Sequence, residues 1–155
     1  MNKKGFTLIE LLIVVAIIGI IAAIAIPNLL VALQKGKQKA TMGDLKTIGS
    51  AIESYVTDWS FAPQDDTFVS AAGAAYFEPF YIKIVPKKDG WGNAFVYTFL
   101  ALGDQYSVSS GGRGPANAAL TIPNPQLYDC TSLGDFNLDI CYSNGLFTCG
   151  PIVKR

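Results

Sequence analysis

The stretch KKGFTLIELLIVVAIIGIIAAIAIPNLLVAL, residues 3–33, decides how the rest of this 155-residue chain is read. From Phe6 to Leu33 its only strongly polar side chains are Thr7, Glu10 and Asn28. The run from Leu11 to Leu33 makes about 34 Å of helix at roughly 1.5 Å per residue, enough to cross the hydrocarbon core of a bilayer. Beyond Leu33 the composition turns polar, with the glycines and prolines of an ordinary globular domain.

Three readings fit an apolar run behind Lys3 and Lys4. A secretory signal would be cut at a small-residue site such as Ala23-Ile24-Ala25, but it would carry a carboxylate at the start of its apolar region. A plain membrane anchor is the second reading, and a leader whose apolar run is retained is the third. Glu10 separates them. A carboxylate in a spanning helix costs about 2.5–3.5 kcal/mol at the bilayer centre and less near an end. Either it stays wet at the interface, or it meets a cation inside an assembly. Pro27 removes a helical hydrogen bond and clashes with the preceding turn. Gly19 lowers helix propensity by about 1 kcal/mol relative to alanine. Together they predict a kink or a locally melted stretch near Pro27.

Residues Lys3 to Glu10, the run Leu11 to Gly19 and the pair Ile26-Pro27 resemble the class III signal of bacterial type IV pilins and type II secretion pseudopilins. The resemblance implies that a prepilin peptidase cuts after Gly5 and methylates the new amino terminus at Phe6. The apolar run then stays in the protein. It also implies that Glu10 pairs with the Phe6 ammonium, between subunits, and that the helix can loosen at Pro27 in a filament. Lysines stand at both ends of the run, so charge alone does not set orientation. The resemblance does: N-terminus in the cytoplasm, domain outside the bacterial inner membrane. Lys35, Lys37 and Lys39 then fall at lipid headgroups before extraction.

The organisation that follows is a leader at residues 1–5, a transmembrane and assembly helix at 6–33, and a globular domain at 34–155. Leu45, Ile48, Ile52, Val56 and Trp59 step by helical intervals, so the helix continues as an amphipathic half and ends near Ser60 to Pro63. Its stripe needs an apolar partner, and the candidate is a sheet downstream. Ala71 to Tyr76 suits a short helix or turn, and Tyr81 to Pro86 a strand or an extended run. Asp89-Gly90-Trp91-Gly92-Asn93 is a turn. Phe95 to Phe99 and Gln105 to Ser110 form a hairpin across Leu102-Gly103-Asp104. Gly111 to Pro125 is a loop, and Asp135 to Thr148 has room for a last short strand pair around Ser143-Asn144-Gly145. The fold class is α+β: a long helix on a small antiparallel sheet, in the manner of type IV pilins.

The order Lys88 to Asn93, then Tyr97, then Tyr106 to Gly111 is similar to the major pseudopilin of type II secretion, and Asp139 to Gly145 looks like the end of many such chains. That resemblance implies one calcium ion between the two regions. Asp135, Asn137 and Asp139 alternate as oxygen ligands do, and a solvated polar loop is the other reading of them. The chain departs from the pattern at Gly111-Gly112-Arg113-Gly114-Pro115, where an acidic residue is expected. Three cysteines, Cys130, Cys141 and Cys149, cluster near the C-terminus. An odd count there suggests one disulfide and one leftover thiol in an oxidising compartment, with three buried thiols as the alternative. Cys141–Cys149 closes the shortest loop. The cluster resembles the disulfide-closed C-terminal region of type IV pilins.

Basic and acidic residues balance at 12 each, which gives no nucleic-acid footprint. The chain contains no histidine, so no Ser-His-Asp or Cys-His set exists, and no phosphate loop or metalloprotease motif appears. An enzyme tethered to the membrane is the weakest class. The expected function is a structural subunit of a helical filament, most simply a major pseudopilin. A surface type IV pilus subunit for adhesion, motility or DNA uptake is the alternative. The expected partners are other copies of the chain, the prepilin peptidase, an inner-membrane assembly platform and minor pilins or pseudopilins.

Overall fold

Thr7 starts the helix that carries everything else. In the computed structural model, which describes residues 5–64, 77–99, 103, 105–114, 126–128 and 134–151, Thr7 is extended (φ −83°, ψ 149°) and caps α1 (Leu8–Trp59). Its backbone N–H donates to the Glu10 carboxylate at 2.8 Å, while the Glu10 N–H reaches the Thr7 hydroxyl at 3.4 Å. This reciprocal box satisfies donors that a helix start leaves open. At the other end Ser60 takes the left-handed conformation (φ 63°) and donates to the Val56 carbonyl at 2.7 Å.

Helix α1 runs unbroken through Pro27 for 52 residues. The melted stretch expected there is not found in the single chain. Apolar neighbours of high helix propensity surround the proline, and the Asn28 amide donates to the Ile24 carbonyl at 3.1 Å.

The two halves of α1 differ in what they bury. The large apolar side chains from Phe6 to Leu33 are exposed, Leu8 at 81% and Ile24 at 67%, apart from half-buried Val31. The buried positions begin at Gln38 and continue as Thr41, Leu45, Ile48, Gly49, Ala51 and Ile52, one face at helical spacing. The expected stripe therefore holds through Ile52 and then fades, because Val56 is half-buried and Trp59 is 56% exposed.

That face lies on a five-stranded sheet, order β1-β2-β4-β5-β3, built from β1 (Val96–Phe99), β2 (Tyr106–Ser110), β3 (Gln126–Tyr128), β4 (Ile140–Ser143) and β5 (Leu146–Pro151). All pairs are antiparallel except β3 with β5, which is parallel. The expected hairpin is β1–β2, with Tyr97 opposite Val108, and the last strand pair is β4–β5, turning at Asn144 and Gly145. Tyr97, Val108 and Tyr142 align across three strands and join Leu45, Ile48 and Ile52 in one core. Residues 81–86 form no strand: they are the end of a turn, a bend at 83–84 and irregular backbone. Residues 71–76, Cys130 and most of the 111–125 loop lie outside the described residues.

Candidate functional site

The functional surface is the outward half of α1, and the residues flanking it show how it is presented. Gly5 and Phe6 precede the helix and are exposed. A β-carbon on Gly5 would meet nothing within 4 Å, so the chain's own packing does not require glycine there. Glu10 stands near the helix start, and its Oε2 accepts from both the Thr7 N–H and the Thr7 hydroxyl, at 2.8 and 2.6 Å. In the uncut chain, with no ammonium on Phe6, Thr7 is thus the partner of this carboxylate.

Where the apolar run ends, the Asp89–Asn93 turn grips the helix. The Trp91 indole donates to the Gln34 amide oxygen at 2.6 Å. The Gly90 N–H donates to the Thr41 hydroxyl at 2.9 Å, and Thr41 in turn donates to the Lys37 carbonyl at 3.0 Å. Gly90 packs so closely that a β-carbon would stand 2.5 Å from the Lys37 carbonyl oxygen. Asp89, which is buried, holds the turn together. Its carboxylate accepts from the Trp91 and Asn93 N–H groups and from the Ser110 hydroxyl, all within 2.7–2.9 Å. The Asn93 amide then donates to the Gly112 and Gly114 carbonyls at 2.9 and 3.2 Å, tying the turn to the end of β2.

Farther along, Glu53 fixes α1 to the sheet. The Tyr106 hydroxyl lies 3.0 Å from Glu53 Oε1 and 3.1 Å from the Gly49 carbonyl oxygen. Burial first, and then the nearby Glu53 charge, push the Tyr106 and Tyr142 phenols above their ordinary range, so both remain donors. From the sequence Glu53 reads only as a polar residue on an outer face. The one available hint is its place a helical turn beyond Gly49, the lone glycine in the buried stripe.

Cys141 and Cys149 are register partners across β4 and β5 and both are buried thiols. Burial, and then the hydrogen bond to Cys149, drives the Cys141 thiol far above its ordinary range. Such a thiol is a poor nucleophile, which fits a structural role rather than a reactive one.

Two of the expected calcium ligands, Asp135 and Asn137, lie in one short turn, and Asp139 follows two residues after it. Asp135–Asn137 is a single 3-10 turn, and the Arg113 guanidinium donates to the Asn137 side-chain oxygen at 3.1 Å. The Arg113 N–H donates to the Phe136 carbonyl at 2.6 Å. The Arg113 guanidinium thus already engages the Asn137 side-chain oxygen. No group of three or more acidic, histidine or cysteine side chains converges for a metal within the described residues.

Two family descriptions match the chain: the prokaryotic N-terminal methylation motif at residues 1–26, and type II secretion system protein G at residues 28–120. Among curated proteins it is similar to the type II secretion system core protein G of Vibrio cholerae, 36% identical over 115 residues covering 69% of this chain and 77% of the relative. Core protein G of Pseudomonas aeruginosa is 31% identical over 126 residues, 72% of this chain and 87% of the relative. The type IV major pilin protein PilA of Myxococcus xanthus is 43% identical over 78 residues, half of this chain and 33% of the relative. No solved structure matches.

Proposed function

The chain belongs to the type II secretion protein G family, and on that premise we propose that it is the major structural subunit of a type II secretion pseudopilus. The observation that carries this reading is the outward apolar half of α1. A helix with Leu8, Ile9, Ile20 and Ile24 each 65–81% exposed is stable in only two settings, a bilayer or a bundle of like helices. The subunit uses both in turn. It first spans the inner membrane once, with its N-terminus in the cytoplasm, and then exchanges lipid for neighbouring copies as the filament grows.

In this reading the prepilin peptidase cuts after Gly5 and methylates Phe6. Cutting creates an ammonium where the peptide bond stood. Glu10, held by Thr7 in the uncut chain, then gains a cationic partner on an adjoining copy, which registers the incoming subunit. An assembly platform and minor pseudopilins complete the machine, and the role is structural rather than enzymatic. In the oxidising periplasm Cys141 and Cys149 close a disulfide across β4 and β5.

Intact-mass analysis of the membrane-extracted protein tests the processing step. A mature chain that begins at Phe6 with one added methyl group is expected. Retention of Met1, or a cut near Ala25, would overturn the reading. The likeness to PilA over half of this chain favours a second reading, a surface pilus subunit. Electron microscopy separates the two: filaments extending beyond the outer membrane belong to the pilus.

A further inference from the structure

The turn that grips α1 also completes a band of positive charge. Lys35, Lys37 and Lys39 follow Leu33 on the helix and are exposed, as are Lys87 and Lys88 beside the turn. The turn covers the helix face made by Gln34, Gln38 and Thr41. At about 100° per residue Lys35 and Lys39 lie on one flank of that face and Lys37 on the other. Lys88, paired with Ala94 in an isolated bridge, is two residues, about 7 Å of chain, from Gly90, which itself packs on the Lys37 carbonyl. The lysines therefore surround the helix at one level.

Distance decides which charges count. Lys35, Lys37 and Lys39 stand about 3–9 Å past the end of the apolar run, at roughly 1.5 Å per residue. That is comparable to a Debye length of about 8 Å at physiological salt. Lys46, about 20 Å past it, is screened. The carboxylates offset only part of this charge: Asp89, in the turn beside Lys88, answers one lysine of the five, and Asp44 lies about 16 Å up the helix. Trp91, half-buried, places its indole at Gln34, one residue past Leu33. An amphipathic ring at that height is what a membrane–water interface accommodates.

We infer that Lys35, Lys37, Lys39, Lys87 and Lys88, with Trp91 among them, form a collar that binds the phosphate headgroups of anionic phospholipids. The inference rests on the membrane-spanning reading above. The new element is the part supplied by the domain. The Asp89–Asn93 turn seats the domain on the bilayer surface, so extraction of a subunit breaks headgroup contacts as well as moving the helix. A headgroup phosphate fits this surface because it carries a diffuse negative charge in a continuous plane, matching lysines distributed around an axis rather than gathered in one pocket.

The test uses the full chain reconstituted in vesicles of phosphatidylcholine alone or mixed with phosphatidylglycerol. A Trp59→Phe background leaves Trp91 as the sole tryptophan. Acetylation of each lysine is followed by mass spectrometry, and Trp91 quenching by headgroup-labelled lipid is followed in parallel. In phosphatidylglycerol vesicles the five collar lysines should be acetylated severalfold more slowly, and Lys46 and Lys83 should not change. High salt should abolish the difference, and Lys87→Glu with Lys88→Glu should weaken the quenching of Trp91. Equal acetylation in both vesicles, with the chain resistant to alkaline extraction, would overturn the collar and leave the spanning helix intact. Protection that appears equally in both lipids and grows with subunit density would overturn it in favour of copy-to-copy contact. Release of the chain by alkali from both vesicles would sink the collar together with the spanning reading.

Discussion

Tyr142 lays its ring directly on the bare α-carbon of Gly49, in the space that any side chain at position 49 would occupy. This contact sets how closely α1 approaches β4, and it places the Gly49 carbonyl within reach of the Tyr106 hydroxyl. Gly49→Ala should therefore overpack the helix–sheet seam and cost about 1–3 kcal/mol. Thermal unfolding of the detergent-solubilised full chain should show a lower midpoint, partly recovered by a second change, Tyr142→Leu. An unchanged midpoint would mean that the helix can ride higher on the sheet at no cost.

The raised phenols give the domain an alkaline limit. Burial holds Tyr97, Tyr106 and Tyr142 protonated in the folded chain above their ordinary value near 10. The folded state thus binds more protons than the unfolded state above about pH 10, and its stability is full below that pH and falls as pH rises beyond it. Tyr106→Phe should make this alkaline fall shallower. At neutral pH it should cost about 1–2 kcal/mol, because Glu53 and the Gly49 carbonyl lose a donor. Unfolding curves at neutral and alkaline pH measure both effects.

The sequence made the helix, its two-part character and the two hairpins legible because each rests on local patterning. Period 3.6 is written in Leu45, Ile48 and Ile52, and turn chemistry in Asp89–Asn93 and Asn144-Gly145. Three things were not legible, all of them tertiary. Strand β3 joins the sheet edge in parallel with β5, a long-range pairing that no local pattern announces. Glu53 becomes an anchor only when two tyrosines from separate strands arrive beside it. The grip of Trp91 on Gln34 spans 57 residues, beyond any local pattern.

The cysteines offer a covalent check on register. Cys141 and Cys149 are opposed across β4 and β5, and oxidation closes a short loop worth about 2–3 kcal/mol in the chain-entropy account. Non-reducing peptide mapping of chain exported to the periplasm should find the two joined. Reduction should lower the unfolding midpoint of the same sample. A Cys130 linkage in the map, or three thiols, would contradict the pairing.

Arg113 offers an ionic check. With its guanidinium on Asn137, the turn at Asp135–Asn137 already holds a fixed positive charge. Chelation of calcium should then leave the unfolding midpoint unchanged, whereas Arg113→Ala should lower it slightly, by at most about 1 kcal/mol, since both side chains are exposed. A midpoint that falls on chelation and returns with added calcium would restore a metal to this loop.

In the proposed function the exposed helix builds a filament and Glu10 registers each incoming subunit. The most direct measurement is sheared filament yield from cells whose sole subunit is Glu10→Leu, read beside membrane-fraction abundance and cleavage at Gly5. Replacing a carboxylate with leucine favours insertion, and the domain sits far along α1, so membrane abundance, cleavage and domain folding should match the unmutated chain. Filament should be absent, because the ammonium of each Phe6 is left without its partner in a low-dielectric bundle. Filament at the unmutated yield would contradict the account and make Glu10 only the cap of α1 that it forms with Thr7.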